Sequence, residues 1–173
     1  MARPWFGLGE YTLTRVEILS THPDILKLGV RSTELSMLEL IDDAKDELQI
    51  LSYAITTGAN KLLSAIDEAL SRGVKLTFVI NSNEELSQRI IASLNSLKNK
   101  YKYSKIYTFN SNENADLHAK IMVADRKLAI VGSSNLTSRG LIWNLEIGFL
   151  IEDRSVWKLA EVIDRIVEMS TPL

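Results

Sequence analysis

The sequence contains no cysteine and only two histidines, His22 and His118. Disulfides and thiolate metal sites are therefore excluded, and a multi-histidine metal cage within one chain is disfavoured. No apolar run reaches the ~18–20 residues that a membrane-spanning helix needs. The opening Met1-Ala2-Arg3-Pro4-Trp5 also lacks the apolar core of a signal peptide, so a soluble, cytoplasmic protein is the expectation. Excess positive charge is missing too: 20 Lys and Arg stand against 22 Asp and Glu, a net charge of -2. Non-specific nucleic-acid binders are usually basic, because phosphate neutralisation supplies most of their affinity. A nucleic-acid reading must then rest on a local basic patch, a partner, or weak binding. Repeats, low-complexity stretches and linker-like compositions are absent as well, which predicts one domain over residues 1–173.

What is present is an ordinary core composition, 46% hydrophobic and 24% charged. Residues 10–20 have β-rich character (Tyr11, Leu13, Val16, Ile18), and His22-Pro23-Asp24 breaks it, so His22 reads as a loop histidine. Ser32 or Thr33 can cap a helix carrying Leu35, Leu38, Ile41 and Ala44. A short apolar strand at 49–55 precedes an amphipathic helix at 59–72, which Gly73 closes. A strand at 74–80, a helix at 84–98 and a strand at 106–109 follow. The remainder reads as a hairpin of 117–124 with 128–133, a strand at 144–151 and a helix at 155–169. This order predicts an α/β fold, a mixed β-sheet flanked by helices on both faces. Residues 1–9, with Trp5 and Phe6 but no clear period, are expected to be flexible or to pack on a partner.

The chemistry concentrates in the hairpin. Strand residues two apart share a face, so His118 and Lys120 point the same way. A turn centred between Arg126 and Lys127 sets Lys120 opposite Ser133 and His118 opposite Asn135. Four phosphate-competent groups then meet on one side. Attack on a phosphodiester needs a nucleophile, charge neutralisation and a protonated leaving group. Imidazole, with an unperturbed pKa of ~6.5, is nucleophilic near neutrality. Lys120 offers a fixed charge, and Ser133 and Asn135 offer neutral donors. Glu146 lies between apolar Leu145 and Ile147, so its carboxylate faces the other way, where it can fix an imidazole tautomer. A His-x-Lys pair alone is usually a solvated strand face; the joint spacing carries the argument.

The pattern His118-x-Lys120-x4-Asp125-x6-Gly132-Ser133-x-Asn135 resembles the HKD signature of the phospholipase D superfamily. Asn135-Leu136-Thr137 to Gly140 and Asn144-Leu145-Glu146 resemble the continuation in its nuclease-like members. Arg72-Gly73-Val74 and the elements around it are similar to the family's upstream half, so the resemblance spans residues 32–152. In that family two such motifs build one site, and this chain carries one. The resemblance therefore implies a homodimer about a two-fold axis. One His118 would attack phosphorus to form a phosphohistidine, and the other, protonated, would donate to the leaving oxygen and later activate water. Lys120, Ser133 and Asn135 would hold the phosphate, and Glu146 would polarise and orient His118. Asp125 and Gly132 are assigned structural roles in the motif, and no metal or cofactor is implied.

Other features keep two readings each. In Lys98-Asn99-Lys100-Tyr101-Lys102-Tyr103 the lysines can meet phosphates and the tyrosines can stack bases. Equally, cations favour a helix C-terminus and tyrosines pack at loop edges. Arg139 and Trp143 either gate substrate, form the dimer seam, or pack. Tyr53 reaches either the site or the core. The expectation drawn from all of this is a metal-independent nuclease that cleaves DNA or RNA as a homodimer, within a larger DNA-processing complex or alone. The alternatives are a phospholipid hydrolase or phosphatidyl transferase, for which the sequence reveals no apolar interfacial surface, and a non-catalytic nucleic-acid-binding subunit.

Overall fold

The computed structural model describes residues 15–81, 86–109 and 115–173; the expectations for residues 1–9, and for 10–14 of the first strand, lie outside them. The strands are β1 (Arg15–Ser20), β2 (Arg31–Ser32), β3 (Glu47–Ser52), β4 (Lys75–Asn81), β5 (Ser104–Phe109), β6 (Ile121–Ala124), β7 (Leu128–Gly132), β8 (Ile147–Glu152) and β9 (Ser170–Pro172). They form one sheet in the order β2-β1-β8-β7-β6-β3-β4-β5-β9. β3, β4 and β5 are parallel, and β6, β7 and β8 antiparallel, so the sheet is mixed. The helices are α1 (Pro23–Leu26), α2 (Thr33–Asp43), α3 (Asn60–Ser71), α4 (Gln88–Lys100) and α5 (Ser155–Glu168).

Strand alternation sorts the side chains into two cores. Ile50, Ile80, Met122, Ile130 and Leu150 pack with α2, α3 and α4 on one face. Leu51, Val79, Val123 and Ala129 pack under Val156, Ala160 and Ile163 of α5 on the other. Helix ends follow the expected local chemistry: Ser32 and Ser87 accept from Leu35 N and Ile90 N as N-caps. Gly73 takes φ +98 just past α3, a conformation that favours glycine. His22 is not a passive loop residue; its Nδ1 accepts from Asp24 N and caps α1.

Two features depart from the sequence expectation. The hairpin register is one residue different: Ala124 pairs with Leu128 and Ile121 with Val131, so the loop holds three residues. Asp125 and Arg126 both adopt positive φ (53 and 55), which a two-residue reading centred after Arg126 did not anticipate. Lys120 consequently aligns with Gly132, whose N–H donates to Lys120 O at 3.2 Å, and not with Ser133. Secondly, α5 covers only part of its face. Val16, Ile18, Ile147 and Phe149 stay 45–49% exposed on the β1–β8 side, where Ile18 is paired with Phe149.

Candidate active site

The parallel strands β3 and β4 end at the same sheet edge where β6 begins in the opposite direction. Residues 115–120 approach β6 across this edge as irregular chain, where a strand was expected. The segment is pinned by Asn81, which accepts from Leu117 N (2.9 Å) and donates to the Asp116 carboxylate (3.1 Å). Leu117 is buried and His118 is exposed, so the imidazole stands at the surface of the edge. Among the described residues its ring contact is Tyr53, with centroids 4.9 Å apart and planes tilted by 54°.

Lys120 behaves differently from its neighbour. It is only 8% exposed, and its Nζ donates to His118 O at 2.7 Å and lies 5.1 Å from the Tyr53 ring centroid. Burial pushes its pKa below the usual ammonium range, partly offset by the attraction of Glu146. The row Lys120–Gly132–Gly148 runs across three strands, and a Cβ on Gly132 would come within 2.9 Å of Gly148 Cα. Gly132 is thus required by close backbone approach. A cavity of about 10 Å³ beside Lys120, lined also by Ser52 and Ser134, has room for a single water.

Ser133 and Glu146 meet each other. The Ser133 hydroxyl donates to Glu146 Oε2, Asn144 Nδ2 donates to Oε1 at 3.1 Å, and Ile147 N donates to Ser133 Oγ at 3.3 Å. The backbone of Glu146 is tied to β1 through Ser20 Oγ and Thr21 Oγ1 (both 3.0 Å). Ser133, expected to hold phosphate, and Glu146, expected to orient His118, are thus joined to each other. Within one protomer Glu146 hydrogen-bonds Ser133 and Asn144, with no bond to His118 among the described residues. Thr21, a short polar residue after a strand with no spacing to flag it, was not singled out from sequence; Asn144 stood in the Asn144-Leu145-Glu146 resemblance without a role.

Asn135 follows β7 with its Oδ1 buried and without a partner among the described residues. An unmet buried acceptor costs on the order of 1–3 kcal/mol, which marks it as a group waiting for a donor. Gly140 packs on its backbone so closely that a Cβ would fall 2.4 Å from Asn135 O. Arg139–Trp143 form a single π-helical turn. Arg139 is exposed, and so are the apolar Ile142, Trp143 (75%) and Leu145 between it and β8.

Asp125 sits at the opposite end of β6, seven residues from His118, or about 20 Å of extended chain. Its carboxylate accepts from the backbone N–H groups of Lys45, Asp46 and Glu47 at 3.0, 2.7 and 2.9 Å. Burial raises its pKa, but the three donors together outweigh this and hold it below the ordinary carboxylate value.

The lysine–tyrosine cluster is also remote, at the N-terminal end of β5, and the packing reading prevails. Tyr101 is buried and its hydroxyl donates to Asp67 O (3.2 Å); that of Tyr103 donates to Leu70 O (2.7 Å). Lys100 bridges both Asp67 carboxylate oxygens at 2.9 Å, and Lys98 bonds Leu173 O. Rings satisfied against α3 carbonyls are not stacking platforms. Lys102 remains exposed.

Comparison with known proteins agrees with this arrangement. The family model described as "Cardiolipin synthase, PLD-like domain" matches residues 37–169. The chain belongs to this PLD-like family. The fold superposes on Nuc, a phospholipase D family member from Salmonella typhimurium, with a TM-score of 0.77 at 21% identity, covering 92% of this chain and 97% of that one. Among curated relatives, the DISARM protein DrmC of Bacillus paralicheniformis is 23% identical over 154 residues, covering 88% of this chain and 63% of DrmC. Cardiolipin synthase A of Buchnera aphidicola subsp. Baizongia pistaciae is 30% identical over 161 residues, 92% of this chain but 31% of the synthase. The PLD-like chain thus spans less than two thirds of the curated relatives it matches. Among its described residues, no helix is long and apolar enough to cross a membrane.

Proposed function

We propose that this PLD-like chain is a metal-independent phosphodiesterase that cleaves DNA or RNA through a phosphohistidine on His118, in a site completed by a second copy. The observation that carries this reading is an exposed imidazole beside a buried, fixed ammonium, both against the Tyr53 ring. His118 attacks phosphorus and forms the P–N bond as the P–O bond to the leaving group breaks. The leaving oxygen takes its proton from the partner's imidazolium. That imidazole, now neutral, takes a proton from water; the resulting attack breaks the P–N bond and restores both rings. Lys120 opposes the charge on the phosphoryl oxygens.

The second copy is supported by the bare apolar residues Val16, Ile18, Ile147 and Phe149 on the β1–β8 side of the sheet. Contiguous exposed apolar surface of this kind marks an interaction face. Nucleic acid is placed before lipid because the motif's continuation, Asn135-Leu136-Thr137 to Gly140 and Asn144-Leu145-Glu146, resembles that of nuclease-like members. The same apolar face favours a second reading, a phospholipid hydrolase or phosphatidyl transferase that sets this face on a bilayer, and it supplies the interfacial surface not visible in the sequence.

The test is cleavage of labelled single- and double-stranded DNA and RNA in excess chelator, beside turnover of phosphatidylglycerol vesicles, with His118→Ala as control. Chelator-resistant, His118-dependent cleavage of nucleic acid is the expected result. Activity on vesicles alone selects the lipid reading, and tight nucleic-acid binding without cleavage selects a non-catalytic subunit.

A further inference from the structure

We propose that Tyr53 is the positioning residue of the site, whose ring sets the His118 imidazole and the Lys120 ammonium in a fixed mutual arrangement; this rests on the reading of His118 as nucleophile. The backbone around Tyr53 is held on both sides. Ser52 Oγ donates to Ala54 O (2.8 Å), Leu136 N donates to the same oxygen (3.1 Å), and Thr56 N donates to Leu136 O (2.9 Å). Ile55 and Leu136 form a parallel bridge. Tyr53 is therefore anchored to the very loop that carries Asn135, at the exit of β3 where the site edge begins.

From that anchor the half-buried ring touches both reacting groups, 4.9 Å from the imidazole centroid and 5.1 Å from Lys120 Nζ. Lys120 closes the triangle through its bond to His118 O. An exposed histidine has two free side-chain torsions, and a nucleophile must keep one nitrogen aimed at phosphorus; a misplacement of about 1 Å can cost a hundred-fold in rate. The ring restricts those torsions without using either nitrogen. Its π face also supports the positive charge of Lys120, replacing water that the buried ammonium has lost.

The experiment compares Tyr53→Phe with Tyr53→Leu in the full chain, following the His118 χ1 torsion through its three-bond Hα–Hβ couplings by NMR. His22 and His118 are the two histidines, so a His22→Gln background isolates the signal. Tyr53→Phe keeps the ring and is expected to retain the couplings of a single rotamer and most of kcat. Tyr53→Leu is expected to give rotamer-averaged couplings as the imidazole is released. Its kcat should fall ten-fold or more with KM little changed. If Tyr53→Leu does not fold, Tyr53→Met serves in its place. Unchanged couplings and kcat in the ring-deleted variant, or an equal loss in Tyr53→Phe, overturn the proposal. The NMR arm needs no turnover, so a protein in which His118→Ala stays active would defeat the nucleophile reading while leaving the torsion comparison to stand or fall separately.

Discussion

Replacing Asp125 with alanine should destabilise the protein without touching its chemistry. Three backbone N–H groups lose a charged acceptor. Hydrogen bonds to charged groups contribute roughly 1.5–3 kcal/mol net when shielded. Lys45 and Asp46 are exposed, so water replaces part of their loss and about 1 kcal/mol each is the better figure. Alanine at φ 53 adds about 1 kcal/mol that aspartate tolerates better. The total is about 3–4 kcal/mol, which for a domain of this size lowers Tm by roughly 10 °C. Asp125→Asn should lose about half as much, since it keeps one acceptor and tolerates the backbone. Because the folded pKa is depressed, this stabilisation is complete above the unfolded value near 3.8 and is lost as pH falls through the folded one. The wild-type and alanine melting curves should therefore converge in acid. Thermal melts from neutral pH downward, with kcat measured at 20 °C on folded protein, check this. A Tm within 2 °C of wild type, or a folded variant with kcat down a hundred-fold, would refute the idea that the motif's aspartate acts by tying the hairpin to the α2–β3 loop.

Lys120→Met should abolish most activity yet leave Tm equal or higher, because a thioether carries none of the desolvation that depresses the lysine pKa; a large drop in Tm would show the ammonium to be net stabilising. Lys100→Ala should leave Tm nearly unchanged, since the Asp67 pair it loses is exposed, and leave the salt dependence of nucleic-acid binding unchanged. A flatter salt slope would restore the cluster to the binding surface. Phe149→Glu combined with Ile18→Glu should yield monomers in sedimentation and remove activity while each subunit stays folded; fully active monomers would reject the shared site.

Much of the frame was readable from residue patterns. α3 and α5 lie within a residue or two of their periodic windows because both carry unbroken apolar stripes and clear stops. The pairing of the β6–β7 hairpin could be read as well, to within one residue. What failed was local backbone chemistry: Asp125 and Arg126 at positive φ leave no glycine signature, and their three-residue loop moved Lys120 from Ser133 to Gly132. β2 and β9 escaped notice because two or three residues, one set ending in proline, carry no period. The lysine–tyrosine run kept two readings because sequence adjacency does not say that the phenols reach back to α3. The bare face of β1 and β8 was invisible for a related reason: Ile18 and Phe149 look like core in any composition, and only the placement of α5 shows them uncovered.

The most direct measurement is the site and stoichiometry of the covalent intermediate. Acid-free quenching of a running reaction followed by peptide mass spectrometry should find phosphate-linked product on His118, at no more than one per two chains. An adduct on another residue, full occupancy of every chain, or steady turnover with no trapped His118 species would contradict a phosphoryl group passed between paired imidazoles.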